Sequence, residues 1–578
     1  MKRRKRTGIM SMLILGTVLI LAGCGSGGGG GGTPPAPASD YTVGGTVNGL
    51  SGTLVLQNNS GDDLTITADG PFTFSTALAD GSGYNVTVKT QPDGQTCFAT
   101  NGSGTVSGAD VTDVTVTCSV DTYTVGGTVS GLSGTLTLQN NGGDDLTITA
   151  DGPFTFSTAL ADGSGYNVTV KTQPDGQTCF VTNGSGTVSG ADVTDVTVDC
   201  YNSGSLDPTF NSSGTMPGII ISNSAAGGNG NDWGSSITTD ADGKILVTGL
   251  SWNSAGNSDM VIWRYNADGA PDTTFGTDGI VVSNNAAGGN GYDWGFSITI
   301  DANGKILITG AITNSAGNSD MVIWRYNADG TPDTTFGTDG IVVSNGAAGG
   351  NGYDCGYSIT IDANGKILVT GVSWNRSGDY DMVIWRYNVD GTPDTTFGTD
   401  GIVVSNGAAG GNGDDWGFSI TIDAKGRILV SGYSNNGSDK DMVIWRYNTD
   451  GTPDTSFGTN GIVVSNNAAG GNGNDYGFSI TTDANGKILV PGSSYNGYSK
   501  DMVIWRYNTD GTPDTTFDTN GIVVSNNATG ENSDNWNFFS ISGDAGLSIT
   551  MDAKGKILVS GDRYNGTDYD MAIWRYIP

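Results

Sequence analysis

The fold of most of this chain is decided by the stretch SITIDANGKILITG, residues 297–310. Its two flanks are rich in isoleucine, leucine and threonine, and Asp301-Ala302-Asn303-Gly304 between them is a turn sequence. The stretch therefore predicts an antiparallel hairpin of strands 297–300 and 305–310. Two further runs, MVIWRY at residues 321–326 and GIVVS at residues 340–344, predict a third and a fourth strand.

This four-strand unit recurs along residues 206–578. The aspartate that opens the tight turn is present in every copy, at Asp240, Asp301, Asp362, Asp423, Asp483 and Asp552. Six such units predict a radial array of four-stranded blades, a six-bladed β-propeller. The last copy lacks its fourth strand, whereas a lone strand, residues 218–222, precedes the first copy. We expect this strand to complete the last blade and close the ring.

Short motifs inside the repeat resemble a known family. They are LDPTF at residues 206–210, DGKILV at 242–247, WRYNADG at 263–269 and PDTTFG at 271–276. Together they closely resemble the delta-60 repeat (DUF5122 type), a β-propeller family of exported bacterial proteins. The resemblance implies a fold and no particular activity, because function is carried by sites and not by the fold itself.

Two near copies of another module precede this array, at residues 41–118 and 121–200. Apolar residues alternate with Thr and Asn between Gly/Asp turns, which predicts antiparallel strands of a small β-sandwich in each copy. The copies are similar to the immunoglobulin-like or carboxypeptidase-regulatory-like modules of bacterial surface proteins. The fold class is therefore all-β: two sandwich repeats followed by the propeller.

Cysteines support this arrangement. Each copy contains one pair at the same spacing, so of the three connectivities that four cysteines allow, the economical one is Cys97–Cys118 and Cys179–Cys200. Such disulfides need an oxidising compartment. Cys355 is left over, and we expect a free, half-buried thiol without a catalytic role, since no base is at hand.

The N-terminus predicts export and lipidation. Residues 1–23 combine the basic start MKRRKR with an apolar run and read as a signal peptide. The ending LAGC, residues 21–24, resembles the lipobox of bacterial lipoproteins, which implies lipidation of Cys24 and a membrane anchor. Residues 24–40 form a Gly/Pro-rich tether. Gly25 after the cysteine favours the outer membrane or cell surface of a Gram-negative bacterium.

Composition excludes several kinds of chemistry. The chain has no histidine, so histidine-based nucleophilic catalysis and histidine-ligated metals are excluded. It has a net charge of −33, which argues against nucleic acid as a partner. The sequence does not specify an oligomeric state.

Two sets of repeated aspartates are candidate functional residues. One set is Asp232, Asp293, Asp354, Asp415, Asp475 and Asp544; the other is Asp259, Asp320, Asp381, Asp441, Asp501 and Asp570. On loops of one propeller face they would form a negative mouth, and calcium at the first set is one hypothesis. The favoured interpretation is structural, with the carboxylates accepting hydrogen bonds from backbone amides.

Aromatic residues beside the first set are candidate ligand contacts, with packing between blades as the alternative. They are Trp233, Trp294, Trp416 and Tyr476. An insertion before the last unit adds further candidates, Asp534, Trp536, Phe538 and Phe539. Six mid-strand arginines are expected to pair with a repeated aspartate.

The function that these features favour is a non-enzymatic surface lipoprotein. Its propeller would serve as a binding, adhesion or scaffold module for a polysaccharide or a surface protein, without a cofactor. The alternatives are a calcium-dependent carbohydrate-active enzyme that uses carboxylates, and a purely structural envelope component.

Overall fold

The computed structural model describes residues 39–284, 288–498, 500–518, 520–525 and 545–577. All regular secondary structure in these ranges is β-strand, and no helical segment in them meets the requirements of a membrane span. The signal peptide, Cys24 and nearly all of the tether lie outside the described residues, as do Asp534, Trp536, Phe538, Phe539 and Asp544. The described chain divides into two compact units, residues 39–130, 137–172 and 181–198 in one, and 131–136, 173–180 and 199–577 in the other.

Each N-terminal repeat contains ten strands. In the first repeat they are β1 (Asp40–Tyr41), β2 (Val43–Asn48), β3 (Leu54–Asn58), β4 (Asp62–Ile66), β5 (Gly70–Thr73), β6 (Leu78–Ala79), β7 (Gly83–Thr90), β8 (Gln95–Thr100), β9 (Ser103–Thr105) and β10 (Val111–Val120). In the second repeat they are β11 (Thr122–Tyr123), β12 (Val125–Ser130), β13 (Leu136–Asn140), β14 (Asp144–Ile148), β15 (Gly152–Thr155), β16 (Leu160–Ala161), β17 (Gly165–Thr172), β18 (Gln177–Thr182), β19 (Ser185–Thr187) and β20 (Val193–Asn202).

The strands of the first repeat form two four-stranded sheets, in the orders β5-β2-β10-β8 and β4-β3-β7-β9. One hydrophobic core draws on both sheets, with Val47 and Phe72 from the first and Leu56 and Val86 from the second. Strands β2 and β10 are parallel, whereas antiparallel strands were expected throughout. The period-two alternation fixes which face a residue takes but not the direction of its strand, so the sequence pattern could not reveal this pair.

Both expected disulfides are present. Cys97 and Cys118 lie directly opposite each other on β8 and β10, with their Cα atoms 4.0 Å apart. Cys179 and Cys200 make the same link in the second repeat, with a Cα separation of 3.9 Å. The pairing expected from the spacing is confirmed, and it indicates an oxidising, extracytoplasmic compartment.

The C-terminal strands form six sheets, here called sheets 1 to 6. Sheet 1 has β22 (Gly227–Thr239), β23 (Ile245–Asn253), β24 (Ser258–Tyr265) and β25 (Ile280–Ser283); sheet 2 has β26 (Gly288–Ile300), β27 (Ile306–Asn314), β28 (Ser319–Tyr326) and β29 (Ile341–Ser344). Sheet 3 has β30 (Gly349–Ile361), β31 (Ile367–Asn375), β32 (Tyr380–Tyr387) and β33 (Ile402–Ser405); sheet 4 has β34 (Asp415–Ile422), β35 (Ile428–Asn435), β36 (Lys440–Tyr447) and β37 (Ile462–Ser465). Sheet 5 has β38 (Asp475–Gly477), β39 (Thr481–Thr482), β40 (Ile488–Tyr495), β41 (Lys500–Tyr507) and β42 (Ile522–Ser525); sheet 6 joins β21 (Ile219–Ser222) to β43 (Ala545–Met551), β44 (Ile557–Tyr564) and β45 (Tyr569–Tyr576).

Sheet 6 is built from both ends of this region. Strand β21 pairs antiparallel with β45, and Ile220 lies opposite Ile573. The lone strand that precedes the repeats therefore supplies the fourth strand that the last repeat lacks, as expected. Phe210 and Ile220 share one hydrophobic core with Leu558 and Ile573.

The first strand of a repeat is longer than the sequence predicts. In sheet 2 it begins at Gly288, whereas the pattern predicts a start at Ser297. The intervening stretch is rich in Gly and Asn, which disfavour strands, but pairing with β27 overrides that local preference. The pairing is interrupted by register shifts between Gly288 and Asp293 and between Gly295 and Ser297.

Each of the six sheets contains one arginine that is paired with an aspartate. Arg386 donates from Nε to Asp394 Oδ2 at 3.0 Å, and its guanidinium lies 4.3 Å from the centre of the Phe397 ring. The same arginine also donates to the carbonyl of Thr449 in the next repeat. The pairs are Arg264–Asp272, Arg325–Asp333, Arg386–Asp394, Arg446–Asp454, Arg506–Asp514 and Arg575–Asp207. The expected pairing of the arginines is confirmed; the phenylalanine beneath each guanidinium was not predicted.

Candidate ligand-binding site

A cavity of about 510 Å³ lies where the first strands of the six sheets come together. Every sheet contributes to its lining, from Trp233 and Trp294 in sheets 1 and 2 to Leu547 in sheet 6. Its volume falls in the range that holds small organic ligands in proteins. The cavity is thus a candidate ligand site.

In five of the six sheets a β-bulge turns two neighbouring residues of the first strand toward this cavity. In sheet 2 the pairing shifts between Gly295 and Ser297, so that Phe296 has no direct partner on β27. Both Phe296 and Ser297 then line the cavity, although adjacent strand residues normally face opposite sides. Equivalent shifts occur in sheets 1, 3, 4 and 6.

Six serines, one from each sheet, form a ring in the lining. They are Ser236, Ser297, Ser358, Ser419, Ser479 and Ser548. The backbone N–H of Ile298 donates to Ser236 Oγ of the preceding sheet at 3.4 Å, and Ile359, Ile420 and Ile480 repeat this contact with Ser297, Ser358 and Ser419. Ile237 donates to Ser548 at 3.3 Å, which links the first sheet to the last. The five hydroxyls that accept such a bond still have their own hydrogen to donate.

Four aromatic rings form an arc along one side of the cavity. They are Phe296, Tyr357, Phe418 and Phe478, at the same position in sheets 2 to 5. Successive ring centres are 5.5, 5.8 and 5.9 Å apart, all in tilted geometry. This spacing is that of favourable aromatic pairs, so the arc is a continuous apolar wall.

The opposite side of the cavity is more polar. Sheet 1 places Ser235 where the arc has an aromatic ring, and Asn231, Asp562 and Tyr569 add polar groups. Apolar side chains of the same two sheets lie beside them, namely Trp233, Leu250 and Leu547. Asn231 Oδ1 accepts a hydrogen bond from the backbone N–H of Tyr569 at 3.2 Å, which joins sheets 1 and 6. Among the described lining residues Asp562 is the single carboxylate, and none of them is a lysine or an arginine.

Of the four described aromatic residues that the sequence predicts as ligand contacts, two line the cavity and two lie behind its lining. Trp233 and Trp294 line the cavity, and Trp294 Nε1 also donates to Ser258 Oγ at 2.7 Å. Trp416 and Tyr476 lie behind the lining, where Trp416 stacks on Tyr357 at 5.5 Å and Tyr476 on Phe478 at 5.9 Å. The arc and the serine ring were missed, although an aromatic followed by serine after the Asp-Trp-Gly pattern is visible in the sequence.

The repeated aspartates do not form a negative mouth. All described members of both sets are buried, and Asp232, Asp354, Asp415 and Asp475 are fully so. Their position within strands, and not on loops, explains the difference from expectation: Asp415 is opposite Ser434, which in turn is opposite Asp441.

The buried carboxylates of the first set accept hydrogen bonds from backbone amides of the loop that precedes each of them. Asp415 Oδ2 accepts from the backbone N–H of Gly407 at 2.6 Å, and Asp232, Asp354 and Asp475 accept from Ser224, Gly346 and Asn467 in the same way. Burial, with a smaller contribution from the nearby carboxylate of Asp381, raises the pKa of Asp415 to about 6. These four bonds are the kind that the structural interpretation of this set predicts. Among the described residues, no three acidic or cysteine side chains meet as a metal site.

Cys355 is fully buried, and not half-buried as expected. It takes the place of a tryptophan behind the cavity, between Ala311 and Val372. Burial raises the pKa of its thiol to about 12, so it is not a nucleophile at neutral pH.

The comparisons with known proteins agree with the fold. Residues 241–275, 302–336, 363–397, 426–457 and 484–517 match the family described as "Domain of unknown function (DUF5122) beta-propeller". The C-terminal region is thus a β-propeller with repeats of the DUF5122 kind. No curated protein matches the chain.

Several solved structures resemble it at low identity. A Trypanosoma rangeli sialidase is 12% identical over 60% of this chain and 55% of its own, with a TM-score of 0.35. A glucose dehydrogenase is 10% identical over 62% and 99%, with a TM-score of 0.33. A thermostable family-43 glycoside hydrolase is 12% identical over 52% and 95%, with a TM-score of 0.26.

Proposed function

We propose that this chain is a non-enzymatic binding module of the cell surface, whose ligand site is the cavity between the six sheets. The observation that carries the proposal is the lining itself: an aromatic arc, a ring of serine hydroxyls and the carboxylate of Asp562. Aromatic walls with a few placed polar groups are typical of small-molecule sites.

The same lining argues against hydrolysis. Glycosidases use two carboxylates, about 5 to 9.5 Å apart, as acid and base or nucleophile. Among the described lining residues only Asp562 carries a carboxylate, and the other repeated aspartates are buried in hydrogen bonds away from the cavity. Binding without turnover is what such a site supports.

We further propose that the six sheets are the blades of one closed ring. Two contacts support closure: β21, which precedes the first repeat, pairs with β45 inside sheet 6, and Ile237 of sheet 1 donates a hydrogen bond to Ser548 of sheet 6. Closure removes exposed sheet edges, which otherwise favour aggregation.

The remaining architecture follows from the sequence. We propose that the two N-terminal repeats are β-sandwiches that serve as a stalk, and that a lipid on Cys24 anchors the protein to the outer membrane. The disulfides in both repeats support export, since they need an oxidising compartment.

A thermal-shift screen of the full chain against small organic molecules and glycans tests the binding proposal. The variant Ser235→Phe places an additional ring in the cavity, whereas Ser254→Phe adds the same ring on an exposed loop residue and is the matched control. We expect stabilising compounds whose effect is lost in Ser235→Phe and kept in Ser254→Phe. Hits unaffected by Ser235→Phe would place the site elsewhere, and conversion of a hit to product would contradict a non-enzymatic role.

A further inference from the structure

We infer that two lysines of sheets 4 and 5, Lys440 and Lys500, bind a small oxyanion such as phosphate or sulfate. The site, here called the lysine site, consists of these two side chains together with Tyr433 and Tyr476. None of the four residues lines the cavity, so the inference goes beyond the proposed function and does not depend on it. Three features carry it: the approach of two ammonium groups to one ring, their lack of ion pairs in the described part of the chain, and their unused donor hydrogens.

The two lysines occupy the same point of two consecutive repeats. Lys440 is the first residue of β36 and Lys500 is the first residue of β41. The residues at this point of sheets 1, 2, 3 and 6 are Ser258, Ser319, Tyr380 and Tyr569. The lysines are therefore a departure from the repeat in two neighbouring sheets, and the fold itself does not require them.

Both ammonium groups approach the ring of Tyr476. Its centre is 6.0 Å from Nζ of Lys440 and 5.7 Å from Nζ of Lys500. Lys440 Nζ also lies 4.3 Å from the centre of the Tyr433 ring and donates to Tyr433 Oη at 3.1 Å. The two tyrosine rings are in edge contact, with their centres 5.2 Å apart. Because aromatic faces attract cations, this pair of rings holds both lysines on one patch.

Neither lysine forms an ion pair within the described ranges, although the chain has 58 acidic residues. The other partly buried lysines of sheets 1, 2, 3 and 5 contact an aspartate at 2.6 to 3.1 Å; they are Lys244, Lys305, Lys366 and Lys487. The carboxylate of Asp414 acts on Lys440 from a greater distance, and its Oδ1 accepts the backbone N–H of Tyr380 at 3.2 Å. One such carboxylate beside two ammonium groups leaves an excess of positive charge.

This excess of charge is unfavourable as long as no anion is bound. Burial, with a smaller contribution from Lys500, lowers the pKa of Lys440, and the opposing effect of Asp414 does not cancel it. Like charges on a partly buried surface repel each other more strongly than they do in water. An anion that contacts both ammonium groups would replace this repulsion by attraction.

The donors of the lysine site favour an oxyanion as its ligand. An ammonium group has three hydrogens, and Lys440 uses one of them on Tyr433. Tyr433 Oη accepts that bond and keeps its own hydrogen to donate. Lysine binds phosphate as a compact point charge, whereas planar, bidentate recognition of carboxylates is typical of arginine. Because the four residues include no arginine, a tetrahedral oxyanion is the ligand that they fit.

Calorimetric titration of the full chain with sodium phosphate tests this inference. Sulfate, acetate and chloride are titrated in the same way, all at low and constant ionic strength. We expect phosphate and sulfate to bind more tightly than acetate and chloride, with an affinity that falls as sodium chloride is added, since salt screens the attraction. Glycerol 3-phosphate distinguishes a phosphate ester from the free inorganic ion as the source of the group, and binding of either one supports the inference.

Matched variants assign the binding to the lysine site. Lys440→Gln and Lys500→Gln each remove one charged donor and are expected to weaken phosphate binding by about tenfold or more. Lys425→Gln removes the same charge from an exposed turn residue of the same repeat as Lys440 and is the control. Ser235→Phe, which fills part of the cavity, should leave phosphate binding unchanged, so a failure of the proposed cavity site would not affect this result.

Three results would overturn the inference. The first is the absence of phosphate binding to the wild-type chain at millimolar concentration, which would mean that the lysines only pack on the tyrosine rings. The second is an equal loss of binding in Lys425→Gln, which would indicate non-specific attraction to positive charge. The third is wild-type affinity in Lys500→Gln, which remains a usable test even if Lys440→Gln does not fold.

Discussion

The carboxylate of Asp207 accepts a hydrogen bond from Nε of Arg575 at 3.0 Å, although 368 positions separate the two residues. Inside a single repeat the same bond spans eight positions, as between Arg386 and Asp394. Phe210 then lies under the Arg575 guanidinium at 4.4 Å, as Phe397 lies under that of Arg386. The segment before the first repeat therefore supplies the turn that the last repeat lacks, in addition to the strand β21.

The first prediction concerns this contact. Asp207→Asn removes one partner of an ion pair whose side chains are 0% and 9% exposed, and breaking such a buried pair costs about 3–5 kcal/mol. We expect that loss in the free energy of unfolding measured with urea. Asp394→Asn is the internal control and should lose a comparable amount, whereas Asp63→Asn, at an exposed pair with Lys89, should leave the free energy of unfolding close to that of the wild type. Wild-type stability of Asp207→Asn would contradict the role of the contact in closure.

The second prediction is a pH optimum of stability on the acidic side of neutrality. Burial raises the pKa of Asp232, Asp354, Asp415 and Asp475 to about 6 in the folded state. Between pH 6 and pH 4 the folded chain therefore binds more protons than the unfolded chain, and its stability rises as the pH falls through this range. Hydrogen bonds from Thr335 and Thr396, together with the pairing to lysine and arginine, lower the pKa of Asp333 and Asp394 despite their burial. The stability that these two carboxylates contribute is therefore lost below about pH 4.

Thermal melts between pH 3 and pH 8 measure this profile. We expect the highest melting temperature between about pH 4 and pH 6. Asp415→Asn removes one buried carboxyl group and should make the rise in melting temperature from pH 7 to pH 5 smaller. Asp93→Asn, at an exposed position, should leave that rise unchanged. A melting temperature that falls steadily from pH 7 to pH 5 would refute the assignment.

The third prediction concerns the two disulfides. Each closes a loop with a sequence separation of 21, which corresponds to about 3 kcal/mol in the chain-entropy account. Cys97→Ala combined with Cys118→Ala should lower the free energy of unfolding of the first repeat by about that amount. Cys355→Ala removes a buried thiol that is in no disulfide and is the control for the sensitivity of the chain to reductant. If dithiothreitol leaves the urea midpoint of the first repeat unchanged, the disulfides contribute nothing to its stability.

The fourth prediction addresses calcium. One oxygen of Asp232, Asp354, Asp415 and Asp475 is already used by a backbone amide, and Asp293 is buried in the same position of sheet 2. We therefore expect EDTA and millimolar calcium to leave the melting temperature of the full chain within about 1 °C. A calcium-dependent rise that Asp415→Asn abolishes would revive the calcium hypothesis for this set.

The fold was predictable where local chemistry decides it. Asp301-Ala302-Asn303-Gly304 specifies a tight turn whatever surrounds it, and one pair of cysteines per repeat left one economical pairing. The start of β26 at Gly288 was not predictable, because the stretch before Asp293 has poor strand propensity and is a strand only through its partner. The parallel pairing of β2 and β10 was not predictable either, because the alternation of apolar and polar residues does not indicate the direction of a strand.

The site was predictable only in part. Trp233 and Trp294 were found because they accompany a repeated aspartate, and both line the cavity. Phe296 and Ser297 were missed because alternation assigns them to opposite faces, and only the bulge between Gly295 and Ser297 brings both to the cavity. The sequence did not predict the burial of the aspartates, because it did not predict the strand extension, as in β26, that places them within strands.

Fluorine NMR can test directly whether the cavity between the six sheets is the ligand site. The full chain, which contains 12 tryptophans, would be labelled with 5-fluorotryptophan and assigned by single Trp→Phe variants. On saturation with the tightest-binding compound of the thermal-shift screen, we expect shifts of the Trp233 and Trp294 resonances, while those of buried Trp263, Trp385 and Trp445 remain unchanged. Saturation without any shift at Trp233 and Trp294 would contradict a ligand site in the cavity.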